Sequence, residues 1–211
     1  MYGDNDFFMM DTRAFRSRSS ADRLSPSKTM LGKRQLAALK TWAQRDCTGF
    51  KFILSPSAMI LMAPGNKSQT DAWHDYPLER NAILDFLEEK NIKNVVFLSG
   101  DIHIPFVAEL RPGVFEFSLS PIAGFTQFKS KFGANYKSDA KIWKEKLHWK
   151  DDRFSSLWRP ASFNAIVNVD TTSSPKTLTV DYYSFEDEDT PLYTKKLHYS
   201  QGKMEDMGNQ K

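Results

Sequence analysis

The chain has 211 residues, 40% of them hydrophobic and 26% charged, enough apolar material for one sizeable core with an ordinary charge load. Its 29 basic and 26 acidic residues are interleaved and leave a net charge of only +3, so neither nucleic-acid binding nor attraction to an anionic membrane follows from charge. The single cysteine, Cys47, excludes an internal disulfide; no apolar run reaches the length of a membrane span, and the first residues lack the pattern of a signal peptide.

Phe7-Phe8-Met9-Met10 reads as a buried strand, with Asp11-Thr12-Arg13 at its end. A core strand this close to Met1 implies sheet neighbours upstream of it. Residues 17–28 form a solvated loop, and Arg13, Arg16, Arg18 and Arg23 either grip phosphate bidentately or face solvent. Thr29 is placed to cap a helix over residues 29–45, with Leu36, Leu39, Trp42 and Ala43 on one stripe and Lys33, Arg34, Lys40 and Gln44 away from it. Residues 50–54 are a strand closed by Ser55-Pro56, giving an αβ unit. Residues 57–62 fit helix or strand, and residues 63–70 are a loop.

Residues 71–77 pack Asp71, Trp73, His74, Asp75 and Tyr76 ahead of a helix over residues 78–90, with Pro77 suited to its first position. Ala82, Ile83, Phe86 and Leu87 point inward, and Glu79 sits near the positive end of the helix dipole. Arg80 lies in the same first turn, where a cation is disfavoured unless an anion meets it. After Asn91 comes an uncharged run, Val95-Val96-Phe97-Leu98, which reads as a strand buried on both faces and stopped by Ser99-Gly100. Asp101 and His103 follow, on one face of an extended segment just past the carboxyl end of a core strand, where open α/β sheets place ligands. A carboxylate and an imidazole there suit a metal ion; the plainer alternative is a turn aspartate and a surface histidine.

Residues 105–110 and 114–119 form a hairpin about Arg111-Pro112-Gly113. Residues 125–150 read as an irregular, partly helical insertion, and Trp143, His148, Trp149 and Trp158 line a pocket or pack as core. Residues 163–170, 177–183 and 192–199 alternate as an antiparallel meander, and the polar tail from Ser200 is expected to fray.

Asp11-Thr12-Arg13, Thr29-Met30-Leu31-Gly32 with Gln35, Asp71-x-Trp73-x-x-Tyr76 with Glu79-Arg80, and Leu98-Ser99-Gly100-Asp101-Ile102-His103 together resemble the PhoD-like branch of the calcineurin-like metallophosphoesterases, the alkaline phosphatase D family. The likeness runs from about residue 2 to about residue 200, leaving 201–211 as a polar tail. It implies an α/β fold with α+β elements toward the C-terminus: a sandwich of two mixed β-sheets flanked by helices, incomplete at the N-terminus. It also implies hydrolysis of phosphate mono- or diesters with two metal ions, divalent or mixed, and a donor set of oxygen and nitrogen leaves Ca, Mn, Zn or Fe open. In the resemblance Asp101 and His103 are the metal ligands and catalytic pair, while Arg13 and Arg80 steady the phosphate or tie loops to carboxylates. The family takes further ligands, including its bridging aspartate, from a part ahead of Phe7, so the chain reads as the C-terminal part of such a domain with an incomplete two-metal site. Asp71, His74 and Asp75 are a conceivable third arm. The expectations are therefore a phosphohydrolase of weak or no activity in this form or, alternatively, a non-catalytic remnant that binds a partner. An exposed apolar strand edge predicts oligomerisation or aggregation. Export is common in the family, but the chain itself leaves compartment open.

Overall fold

The computed structural model describes residues 1–18, 21–60, 72–101, 106–119, 141–142, 163–184, 189–191 and 193–207. Its first half alternates strand and helix: β1 (Asp6–Met9), α1 (Gly32–Ala43), β2 (Lys51–Ser55), α2 (Pro77–Glu89) and β3 (Val95–Ser99). Helical crossovers let successive strands run parallel, and β1–β2 and β2–β3 both do. The hairpin β4 (Phe106–Arg111) and β5 (Val114–Ser118) then joins, β5 parallel to β3 and β4 antiparallel to β5, with the two-residue β6 (Lys141–Ile142) on the far side. The order is β1-β2-β3-β5-β4-β6. Gly113 turns the hairpin at φ +75°, and a Cβ there would come within 2.8 Å of Lys93.

A second sheet holds β7 (Phe163–Asp170), β8 (Lys176–Ser184), β9 (Tyr193–Ser200) and β10 (Lys203–Asp206), ordered β10-β9-β8-β7. The result is a mixed α/β fold of two sheets and, among the described residues, two α-helices. The resemblance implied two mixed sheets. Only the six-stranded one is mixed; the second is antiparallel throughout, each strand pairing with the next in sequence. One apolar cluster includes both sheets: Tyr199 lies 5.9 Å from Phe50 ring to ring, and the Tyr182 hydroxyl donates to the Phe106 carbonyl. On the opposite face Phe8 meets Trp42 of α1. Among the described residues no helix is long and apolar enough to cross a membrane.

Three sequence expectations change. The strand at Phe7 is not buried: it lies at the sheet edge, and although Phe7 stacks on Phe52, Phe7 and Met9 remain 44% and 75% exposed. Phe8 is partly buried and Met10 is buried, while the alternate residues Phe7 and Met9 are exposed. The tail does not fray at Ser200. Gln201 and Gly202, both at positive φ, turn it back, and β10 pairs with β9, buries Met204 and sets Asp206 on the buried Lys195. Helix α1 begins at Gly32 rather than at Thr29, although the Thr29 hydroxyl still accepts the Gly32 N–H. Most of the 125–150 insertion lies outside the described residues, as do Trp143, His148, Trp149 and Trp158.

Phe97, 0% exposed at the centre of β3, is the sharpest test of this core. Phe97→Ala is expected to cost about 3–5 kcal/mol in urea unfolding, whereas Met9→Ala at the open edge stays within about 0.5 kcal/mol.

Candidate functional site

The parallel strands β1, β2 and β3 release the chain at the same edge of the sheet, the edge where ligand sites of open α/β sheets form. Asp11-Thr12-Arg13 follows β1, residues 56–60 follow β2, and Gly100-Asp101 follows β3. Asp101 is exposed and held at φ +68°, in the left-handed region that an aspartate tolerates better than most residues but that still carries strain. His103, its expected companion, lies outside the described residues, as does Asp71. Arg13 is exposed beyond the end of β1, and its backbone N–H, with that of Ala14, is accepted by Asp11 Oδ1 at 2.8 and 2.9 Å. Those two N–H groups, Ala14 first, hold the Asp11 carboxyl below its usual range.

Around this edge the remaining motif residues act on loops. Gln35 of α1 donates to the Asp11 carbonyl at 2.8 Å and accepts the Asp11 N–H at 2.7 Å, fixing the turn that carries Arg13. Glu79, in the first turn of α2, is 8% exposed. Its Oε1 accepts the Thr29 hydroxyl at 2.5 Å, and its Oε2 accepts the Met30 and Leu31 N–H groups at 2.5 and 3.1 Å. A carboxylate from a neighbouring helix thus satisfies the two amides that lead into α1, while the first helical amide, that of Gly32, is taken by the Thr29 hydroxyl. The Tyr76 hydroxyl donates to the Ser17 carbonyl, and Trp73 Nε1 donates to Ser55 Oγ, which in turn donates to the Ser57 carbonyl.

Arg80 is 0% exposed. Its Nε donates to the Met59 carbonyl at 2.6 Å and its Nη1 to Asn81 at 2.8 Å. The anion that the helix-dipole argument requires there is Glu116 of β5, also 0% exposed, whose Oε1 accepts the Met59 N–H at 2.7 Å and Oε2 the Ile60 N–H at 3.0 Å. Burial pushes the Glu116 carboxyl up to about 7, against the opposing pull of the Met59 N–H, the Ser99 hydroxyl, the Arg80 charge and the Ile60 N–H. Sequence reading misses Glu116, although there is a signal: a glutamate between Phe115 and Phe117 in an otherwise uncharged strand has nowhere exposed to point. Arg80 is likewise signalled as buried, since it shares the helical stripe of Ile83, Leu84 and Leu87.

Among the described residues no group of three or more His, Cys, Asp or Glu comes together to hold a metal ion, so they furnish one candidate ligand, Asp101, rather than a set. His74 is buried in the short 3₁₀ turn Trp73–Asp75. A cleft of about 370 Å³ lies at the opposite end of the strands, lined by Arg45, Lys51, Lys90, Lys93 and Asn94 among others. Its cations sit where α1 and α2 end, and one of them, Lys51, donates its Nζ to the Ala43 and Arg45 carbonyls and so serves the end of α1.

A PhoD-like phosphatase family model matches residues 1–162. The chain belongs to the PhoD-like phosphatase family. Alkaline phosphatase D of Bacillus subtilis (strain 168) is 28% identical over 134 residues, covering 56% of this chain and 22% of that protein. A solved structure titled as that of PhoD superposes over 100% of this chain and 43% of its own with a TM-score of 0.66 at 16% identity, which is a likeness of fold. This PhoD-like chain therefore spans less than half the length of either relative.

Two outcomes check the site's scaffold. Glu79→Ala leaves the buried Met30 and Leu31 amides without an acceptor and should cost about 2 kcal/mol or more in urea unfolding. Because the folded chain holds the Glu116 proton more tightly than an ordinary carboxyl of 4.5, its contribution is full below that value and is lost as pH rises through about 7. Stability of the wild type relative to Glu116→Gln should thus fall by roughly 1.4 kcal/mol per pH unit across that window, measured as the urea midpoint at successive pH values.

Proposed function

We propose that this PhoD-like chain belongs to a metal-dependent phosphohydrolase of the alkaline phosphatase D type, acting on phosphate mono- or diesters. The family match over residues 1–162 carries the reading. The exposed, left-handed Asp101 at the carboxyl end of β3 supports it, since strained backbone at a sheet's ligand edge is where sites concentrate. Asp101 and His103 are the proposed metal ligands and catalytic pair, with Ca, Mn, Zn or Fe as candidate ions for a carboxylate–imidazole donor set. Bound cations would polarise the ester and acidify a water. From the chain itself, exposed Arg13 meets a phosphate oxygen pair with its planar guanidinium, on a turn held by Asp11 and Gln35. Arg80, with no exposed surface, takes the loop-tying role of the two considered for it. The proposed architecture is the family's two-sheet sandwich flanked by helices.

A second reading, a partner-binding protein, is favoured by one observation: the open edge at β1 with Phe7 and Met9 in solvent. It predicts a concentration-dependent increase in mass by light scattering that Met9→Lys abolishes.

Hydrolysis of p-nitrophenyl phosphate and bis-p-nitrophenyl phosphate by the purified chain with each of the four metals separates the readings. Weak turnover that requires metal and falls to background in both Asp101→Ala and His103→Ala supports the hydrolase. Turnover indifferent to these substitutions, or none with any metal, contradicts it for this chain.

A further inference from the structure

Met59 is gripped from both sides. Its N–H is accepted by Glu116 Oε1, its carbonyl takes the Arg80 Nε–H, and the next amide, that of Ile60, is accepted by Glu116 Oε2. Three elements converge on two peptide units: β5 supplies the carboxylate, α2 the guanidinium, and the chain leaving β2 the backbone. None of these polar side-chain groups reaches solvent, so each depends on the others for compensation. A surface loop gains little from such an arrangement. Burying an arginine and a glutamate to hold one backbone segment is costly, and two hydrophobic residues of similar size would pack at less expense. What the charged pair adds is direction: a forked acceptor and a planar donor define where residues 57–60 lie to within a hydrogen bond's tolerance.

We infer that Glu116 and Arg80 are positioning residues that set the 57–60 segment against the end of β3, and so shape the wall of the proposed phosphohydrolase site beside Asp101. The inference rests on that reading for the chemistry the wall serves, and the clamp itself can be measured without it. Ser99, two residues before Asp101 on β3, pairs in register with Ser118, two residues beyond Glu116 on β5, so the clamp and the end of β3 share neighbouring strands. Among the described residues, the charged or titratable groups facing Glu116 are Arg80 from α2 and Tyr182 from β8, beside the two amides of the chain leaving β2. Tyr182, raised well above its ordinary value by burial and then by neighbouring charge, stays neutral throughout the working range, so Glu116 is the group that titrates here.

The test is amide NMR on the whole 211-residue chain. In the wild type, the Met59 and Ile60 amide protons should shift with pH along one shared titration curve, and Glu116→Gln should abolish the curve at both. In the same variant these two amides should lose about tenfold or more of their exchange protection, while Val96 in β3 and Leu197 in β9 keep theirs. Arg80→Lys, which keeps a charge but lacks the Nε–H, should also deprotect the segment and serves where Glu116→Gln does not fold. A pH-independent pair of amides in the wild type, protection unchanged in the variants, or equal loss across β3 and β9 would each overturn the positioning role. Because none of these readouts requires turnover, a clamp that holds in a chain without phosphatase activity would count against the proposed function and not against the clamp.

Discussion

Two buried carboxylates, each accepting consecutive backbone N–H groups of a loop, are the constraint on which the ligand edge of this protein depends. A loop entering a core exposes amides that must find acceptors, and water is not there to supply them. Glu79 provides for Met30 and Leu31, and Glu116 for Met59 and Ile60. Each carboxylate comes from a different element than the loop it holds, so the 30–31 amides depend on α2 and the 59–60 amides on β5 for their acceptors. The charges are tolerable because they are used. Glu116 faces the Arg80 charge, and Glu79 also takes the Thr29 hydroxyl.

The opposite end of the sheet follows the same logic with the sign reversed. There the helices finish, their carbonyls need donors, and Lys51 supplies its ammonium to the last turn of α1 and beyond it. Burial lowers the Lys51 pKa, the cost of using it this way. Lys51 answers carbonyls at the end of α1, as Glu79 and Glu116 answer loop amides at the other end of the sheet. The basic cleft thus lies at the Lys51 end, and the exposed Asp101, the candidate ligand, at the other.

Much of this order is legible in the amino-acid sequence. The uncharged run ahead of Ser99-Gly100 reads as a buried strand and is one, and the breakers about Gly113 and after Asp170 read as turns between antiparallel strands and are such turns. What is not legible depends on partners far away along the chain. Thr29 has the chemistry of a cap, but the acceptor that displaces the helix start, Glu79, lies 50 residues on. Phe7 and Met9 have the apolarity of buried residues, and apolarity does not reveal which residues of an edge strand stay exposed. The Gln201-Gly202 turn is visible as chemistry but is outweighed by the polarity around it. Of the site, Asp101 and Arg13 stand at the expected edge, whereas the Glu116 grip on Met59 joins residues 57 apart and no local pattern encodes it.

The most direct test of where chemistry resides in this PhoD-like chain is manganese(II) titrated into isotopically labelled protein, with amide broadening read residue by residue. The account predicts that Gly100 and Asp101 broaden first, that residues 57–60 follow, that Lys51 and Asn94 at the far end stay sharp, and that Asp101→Ala removes the effect. Broadening that begins at Lys51 and Asn94, or that persists unchanged in Asp101→Ala, would place the metal elsewhere and contradict the account.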